Sequence, residues 1–356
     1  MTVAELSYDL VWAAATVLAI ALVAFAWDLA SLSSSRQAVK DAEAARAESE
    51  ELASSGESEG LAASAASAED GSSVGGSSVG GSSSGGSSSG GVAVAERAPA
   101  EGRRRSKAAG IGVSTTFLAT VLLLAAIVTR GIAAGRTPWA NMYEFSMVGA
   151  FVALAVFLGV NARRDVRYLG AFVTGLATLF LVLAQNAFFV PANGVQPALQ
   201  SYWLVIHVGV AITATGVFTV AFVTSVLQLL RDSRDNGSAL LNRKAFGWLD
   251  VTPAPTQLEA LSFRMNAVGF VLWTFTVIGG AIWAEHAWAR YWGWDPKETW
   301  SFIVWVVYAA YLHARTTRGW SGRRAAYFVL VGYACVLFNF TGVNLLFDGK
   351  HSYSGL

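Results

Sequence analysis

One cysteine, Cys335, occurs in 356 residues. It lies inside an apolar run, so an intrachain disulfide and a CxxC redox pair are both excluded, and the thiol reads as a small core hydrophobe. Charged residues are also few, at 14% against 54% hydrophobic, a balance too apolar for a soluble domain. The net charge of +1 provides no basic field for nucleic acid. The N-terminus lacks the basic segment of a cleavable leader, so the first apolar run reads as a retained signal anchor. No P-loop, dinucleotide fingerprint or convergent hydroxyl, base and acid is present, which argues against hydrolytic and nucleotide-dependent chemistry. Histidine is limited to His207, His286, His313 and His351.

What the chain has in abundance is apolar length. Runs fall at about 8–30, 111–129, 143–162, 168–190, 202–230, 265–285, 301–314 and 325–346. The seventh is short by itself. Asp295 as N-cap, Pro296 at the first helical position and Glu298 at the third start its helix earlier and restore a spanning length. The expected fold is all-α, a polytopic integral membrane protein of about eight transmembrane helices embedded in the lipid bilayer. Its expected parts are an N-terminal transmembrane anchor at 1–30, a disordered cytoplasmic linker at 31–110 and a seven-helix core at 111–356. The linker is Ala/Glu-rich and then Gly/Ser-rich, with room for a short surface helix at 36–53 and a flexible tether at 71–91. A tether of that length makes the first span an appendage. Of the 25 Lys and Arg, only Arg130, Arg136, Arg290, Lys297 and Lys350 fall outside when Met1 is outside. The positive-inside bias therefore puts both termini on the outer face.

The stretch WAEHAWARYWGWDPKETWS, 283–301, holds five of the thirteen tryptophans. On a helix, Trp288 and Trp292 would share one face. The cluster reads either as an interfacial aromatic belt or as a surface for a large, flat, apolar ligand. Thr137-Pro138 and Asn141 with Glu144 repeat the capping chemistry before the third span, as plain capping or as a frame for an outer site. His207 lies about six residues into the fifth span, where a histidine is either functional or a hydrogen-bonded structural residue. His351 follows the last span, as a solvated side chain or a ligand on the same face. His313 lies roughly 25 Å along the seventh helix, near the inner leaflet, where an interfacial histidine can snorkel beside Arg315.

The run WGWDPKETWSFIVWVVYAAYLHAR, 292–315, closely resembles the tryptophan-rich WWD signature of the CcsA/ResC cytochrome c assembly proteins of system II. Asn141-Met142-Tyr143-Glu144 resembles that family's N-x-Y-E element, and PALQSYWLVIHV, 197–208, its histidine-bearing helix. The likeness covers about 111–356. It implies a subunit that carries haem b and holds it outside between two axial ligands, His207 and His351. Trp288, Trp292, Trp294, Asp295 and Trp300 would surround the ring, Arg290 and Lys297 would meet the propionates, and Asn141, Tyr143 and Glu144 would frame the site. The resemblance also implies that His313 is one ligand of an inner haem, completed by a ResB/CcsB-type membrane partner. The haem would be presented for thioether attachment to the CxxCH of apocytochrome c, kept reduced by a thioredoxin-like protein, at the outer face of a bacterial plasma membrane. Such a chain shares in a holocytochrome c synthase, or haem lyase, activity by positioning its cargo. His286 departs from the pattern, which has a small or amide residue there. A system I handler that loads a haem chaperone is disfavoured by the PKETW continuation, and a haem b electron-transfer subunit by the lack of histidines paired at matching depth. A haem-free transporter with a Trp-lined vestibule is the remaining alternative.

Overall fold

The computed structural model describes residues 1–68, 106–192, 194 and 201–351, with side chains of 50–68 left aside. Among these residues there are nine α-helices and no strand. They are α1 (Val3–Ala68), α2 (Lys107–Ala134), α3 (Met142–Arg163), α4 (Gly170–Ala187), α5 (Tyr202–Asp235), α6 (Pro255–Trp288), α7 (Pro296–Thr317), α8 (Arg323–Leu337) and α9 (Val343–Leu346). A π-helical turn, Phe338–Gly342, joins α8 to α9, so the two make one segment.

Seven helical segments are long and apolar enough to cross a membrane, and the chain is an all-α, multi-pass membrane protein. The remaining expected span, α7, has 22 residues, or about 33 Å. It has the length but not the apolarity of the others, because Trp300, Trp305, Tyr308, Tyr311 and His313 lie along it.

Local sequence explains where the helices begin. Ser106, Asn141, Ser201 and Asp295 each cap a helix by accepting a backbone N–H with the side chain. The capping box anticipated at Asp295 and Glu298 is formed. Helix α6 ends at Trp288, where Ala289 turns left-handed at φ 54°. That turn overrides the i,i+4 expectation for Trp288 and Trp292, since Trp292 lies beyond the helix and shares no helical face with Trp288.

The first 33 residues belong to the same compact unit as the helices from α2 onward, and the rest of α1 belongs to a second unit. Val11, Leu18 and Phe25 are fully buried in one core with Leu123, Met147, Leu154, Phe157 and Leu181. Ser7 Oγ donates to the Ala126 carbonyl at 2.8 Å and Gln185 Nε2 to the Tyr8 carbonyl at 3.0 Å. The first span is thus a built-in member of the bundle rather than an appendage. The hydrophobic pattern alone cannot show this, because lipid and protein neighbours favour the same side chains. Helix α1 continues to Ala68, through the first part of the segment expected as a disordered linker. The Gly/Ser tether lies outside the described residues.

A second core joins α5 to α8 through Phe218, Trp273, Val304, Tyr308 and Tyr333. Phe218 stacks on Tyr308 with ring centroids 3.9 Å apart. Gly269 leaves room for that stack, because a Cβ there would meet Phe218 at 2.6 Å.

Candidate functional site

A cavity of about 510 Å³ opens between α3, α5, α6, α7 and the α8–α9 segment, with the α2–α3 loop and Val190, Pro191 and Gly194 also lining it. His207, His351, Trp283, Trp292 and Lys297 all line it. The size is in the range of ligand sites.

His207 is the sixth residue of α5. Its imidazole lies flat on α6, where Gly280 has no side chain; a Cβ there would come within 2.8 Å of Cε1. Nδ1 sits 3.0 Å from the Thr276 carbonyl, which makes it the protonated nitrogen. Trp283 is nearly parallel to the ring, at 10° and 6.0 Å between centroids.

His351 comes back to the same indole from the segment after α9. Its ring is 5.6 Å from Trp283 and 4.8 Å, edge-on, from Trp288. Its Nδ1 is 2.8 Å from Asp295 Oδ1. Asp295 also accepts from the backbone N–H of Lys297 at 3.0 Å and of Lys350 at 2.7 Å. Burial alone would raise the Asp295 carboxyl, but the hydrogen bond and charge of His351 and the two N–H donors win, and its pKa falls to about 2. The resemblance implies a place for Asp295 around the haem; in the structure its carboxylate meets His351, and it is not among the residues lining the cavity.

The other candidates divide. Trp292 lines the cavity, while Trp288 backs His351. Trp294 is 69% exposed, at φ 57°, edge-on to Trp292 at 5.8 Å. Trp300 packs on Phe338 at 4.3 Å, behind the cavity wall. The Lys297 ammonium donates to the Asn339 carbonyl at 2.6 Å and to Asn344 Oδ1 at 3.2 Å. Asn339 belongs to the π-helical turn, an irregularity often found at functional sites. The Arg290 guanidinium lies against the Gly293 backbone, off the cavity wall. Asn141 is on the wall and Glu144 is fully buried behind it, clamped by Arg130 at 3.0 Å and Arg136 at 2.7 Å. Tyr143 is buried beneath Arg130.

His313 is exposed at the far end of α7, off the cavity. His286 is exposed too, with Nδ1 2.9 Å from the Ile282 carbonyl and 3.3 Å from Glu285.

Motif reasoning does not mark Trp283, Arg136, Trp139 or Asn339 as site residues. Trp283 begins the tryptophan stretch and was legible there; the other three carry no local signal. Four atoms on the lining residues are buried without a hydrogen-bond partner among the described residues: Trp139 Nε1, Trp283 Nε1, Glu298 Oε1 and Asn339 Oδ1. Such groups are rare unless a ligand or water meets them. An apolar cavity with a few unsatisfied polar atoms, two oriented imidazoles and an indole suits a large aromatic ligand carrying a metal and polar substituents.

Residues 139–351 match the family model of the Cytochrome C assembly protein. A "Cytochrome c biogenesis protein CcsA" of Guillardia theta is 35% identical over 260 residues, covering 69% of this chain and 86% of that protein. Its namesake in Gloeobacter violaceus (strain ATCC 29082 / PCC 7421) is 34% identical over 295 residues, covering 69% and 86%. Among solved structures, the "Cytochrome c Heme Lyase CcmF" aligns with a TM-score of 0.51 at 16% identity, which shows a shared fold. That alignment covers 70% of this chain but only 43% of the larger one. The helical bundle, the histidines gathered at Trp283 and the extent of these matches lead to one assignment: this multi-pass membrane chain belongs to the cytochrome c assembly protein family, as a CcsA-type member.

Proposed function

We propose that the chain is the haem-handling subunit of a system II cytochrome c synthase, and that haem b is its cargo. The observation that carries this is the matched treatment of His207 and His351. Each engages Nδ1 with an oxygen, a backbone carbonyl for one and a carboxylate for the other, and both rings border Trp283. Histidines that bind metal are oriented in this way, with the second ring nitrogen left to coordinate. Iron would be bound through Nε2 of each, on either face of the porphyrin. Trp283 and Trp292 contribute apolar surface to the ring, and Lys297 contributes a cation to a propionate.

The reaction needs little from the chain beyond placement. Each thioether forms when a CxxCH thiol of apocytochrome c adds across a haem vinyl group, with sulfur bonding to one vinyl carbon and the thiol hydrogen ending on the other. No external oxidant or reductant is consumed. The chain holds the ring, shields its axial positions and fixes the direction of its vinyl edge. The incoming CxxCH histidine then displaces one of the two imidazoles. His313 belongs to a separate inner station, roughly 26 Å along α7 from its start. It is shared there with a ResB/CcsB-type partner, and a thioredoxin-like protein keeps the apocytochrome thiols reduced. The outer station faces the exterior of a bacterial plasma membrane.

The test is spectroscopic. Purified chain should show a low-spin, bis-imidazole Soret band with haem. His207→Gly and His351→Gly should each lose it and regain it with added imidazole. Retention of the low-spin spectrum by both variants without imidazole would sink the ligand pair.

A further inference from the structure

The α2–α3 loop contributes a cation and an N–H donor to the cavity that the ligand pair and the tryptophan stretch do not use. Arg136 and Trp139 both line the cavity. Arg136 is steadied from behind by Glu144, with Nη1 2.7 Å from Oε2 and Nη2 3.1 Å from Oε1. The same carboxylate accepts from Arg130 Nε at 3.0 Å. Among the described ion pairs, two guanidinium groups therefore share one carboxylate, and the trio keeps a net positive charge.

The placement of the trio decides where that charge is presented. Arg130 is buried, and its Nη2 is directed to the Val190 and Pro191 carbonyls at 2.8 and 3.2 Å. Arg136 is the member on the cavity wall. Three residues along the loop, Trp139 Nε1 is a buried donor with no acceptor among the described residues. A positive charge on the wall and an unused N–H on the same loop suit a carboxylate, whose two oxygens can take both an ionic partner and a hydrogen bond.

We propose that Arg136 and Trp139 form a carboxylate subsite for one haem propionate. This rests on the haem reading above and adds what two axial ligands cannot supply. Bis-imidazole ligation fixes the iron but leaves the ring free to rotate about the axis between the two nitrogens. A propionate held on the α2–α3 loop stops that rotation and sets where the vinyl groups point. Lys297 presents the second cation from the start of α7, so the two propionates meet two different walls.

The experiment titrates the purified full chain with haemin and with haemin dimethyl ester, whose propionates are uncharged. Wild type should bind the free acid about tenfold or more tightly than the ester, the scale of a charge-assisted hydrogen bond. Arg136→Gln should lose about that factor for the acid alone while the bis-imidazole spectrum is retained. Trp139→Phe leaves the ion trio intact and should lose roughly threefold, again for the acid alone; it decides the matter if Arg136→Gln does not accumulate. Acid preference undiminished in both variants, or equal losses for acid and ester, overturns the subsite. Wild type binding neither porphyrin would bring down the haem reading itself, so the two failures are distinguishable.

Discussion

Asp295 Oδ1 lies 2.8 Å from His351 Nδ1 while the same carboxylate caps α7. One side chain therefore starts a helix and aims an imidazole 56 residues further on. Asp295→Asn keeps the cap and removes the charge. Haem retained by the purified chain should fall roughly 10- to 100-fold, the usual effect of losing such a supporting carboxylate. Pyridine haemochrome assay of wild type and variant measures it.

Gly280 is the only kind of residue that lets the His207 ring lie on α6. Gly280→Ala would put a Cβ 3.0 Å from Nδ1 and push the ring off the Thr276 carbonyl. Helix propensity itself favours the change by up to about 1 kcal/mol. Thermal stability should thus hold while the low-spin spectrum weakens, as read by paired melting and absorption measurements.

Glu144 is fully buried between two arginines. Glu144→Gln leaves the guanidinium groups facing each other without their shared anion. A loss of about 3–5 kcal/mol is expected, visible in detergent melting curves. Arg136→Gln in the same chain should recover part of it, because it removes one of the two repelling charges.

Trp294 is held at φ 57°, a conformation costly for a bulky side chain, by about 1–3 kcal/mol. Trp294→Gly should relieve that strain and leave stability unchanged or raised. Cytochrome c assembly in a complementation assay should fall, since strain of this kind persists where function needs it.

Phe25 is fully buried against Gly112 and Gly170. Phe25→Ala should destabilise the bundle by about 3–5 kcal/mol. A first span that merely tethered the chain would tolerate the change, so unaltered melting would contradict its place in the core.

Some of this was legible in the sequence for identifiable reasons. Capping is local chemistry, so Asp295 and Glu298 announce the start of α7 within four residues. Apolar runs report membrane length directly, which is why seven spans were readable, and α7 was recoverable only through its cap. Motif likeness drew attention to His207 and His351. Tertiary contact is what the pattern could not carry. Whether α1 touches lipid or protein, and whether Trp288 shares a face with Trp292 once Ala289 turns left-handed, depends on neighbours distant in the chain. Arg136 and Trp139 were overlooked for the same reason: their meaning comes from the wall they stand on.

Helix α7 begins at the carboxylate that orients His351 and carries His313 near its other end. A hydrogen-bonded helix transmits axial displacement almost without loss. Movement of the His313 end would therefore be felt at the His351 imidazole, and the two ends of the helix would be mechanically tied.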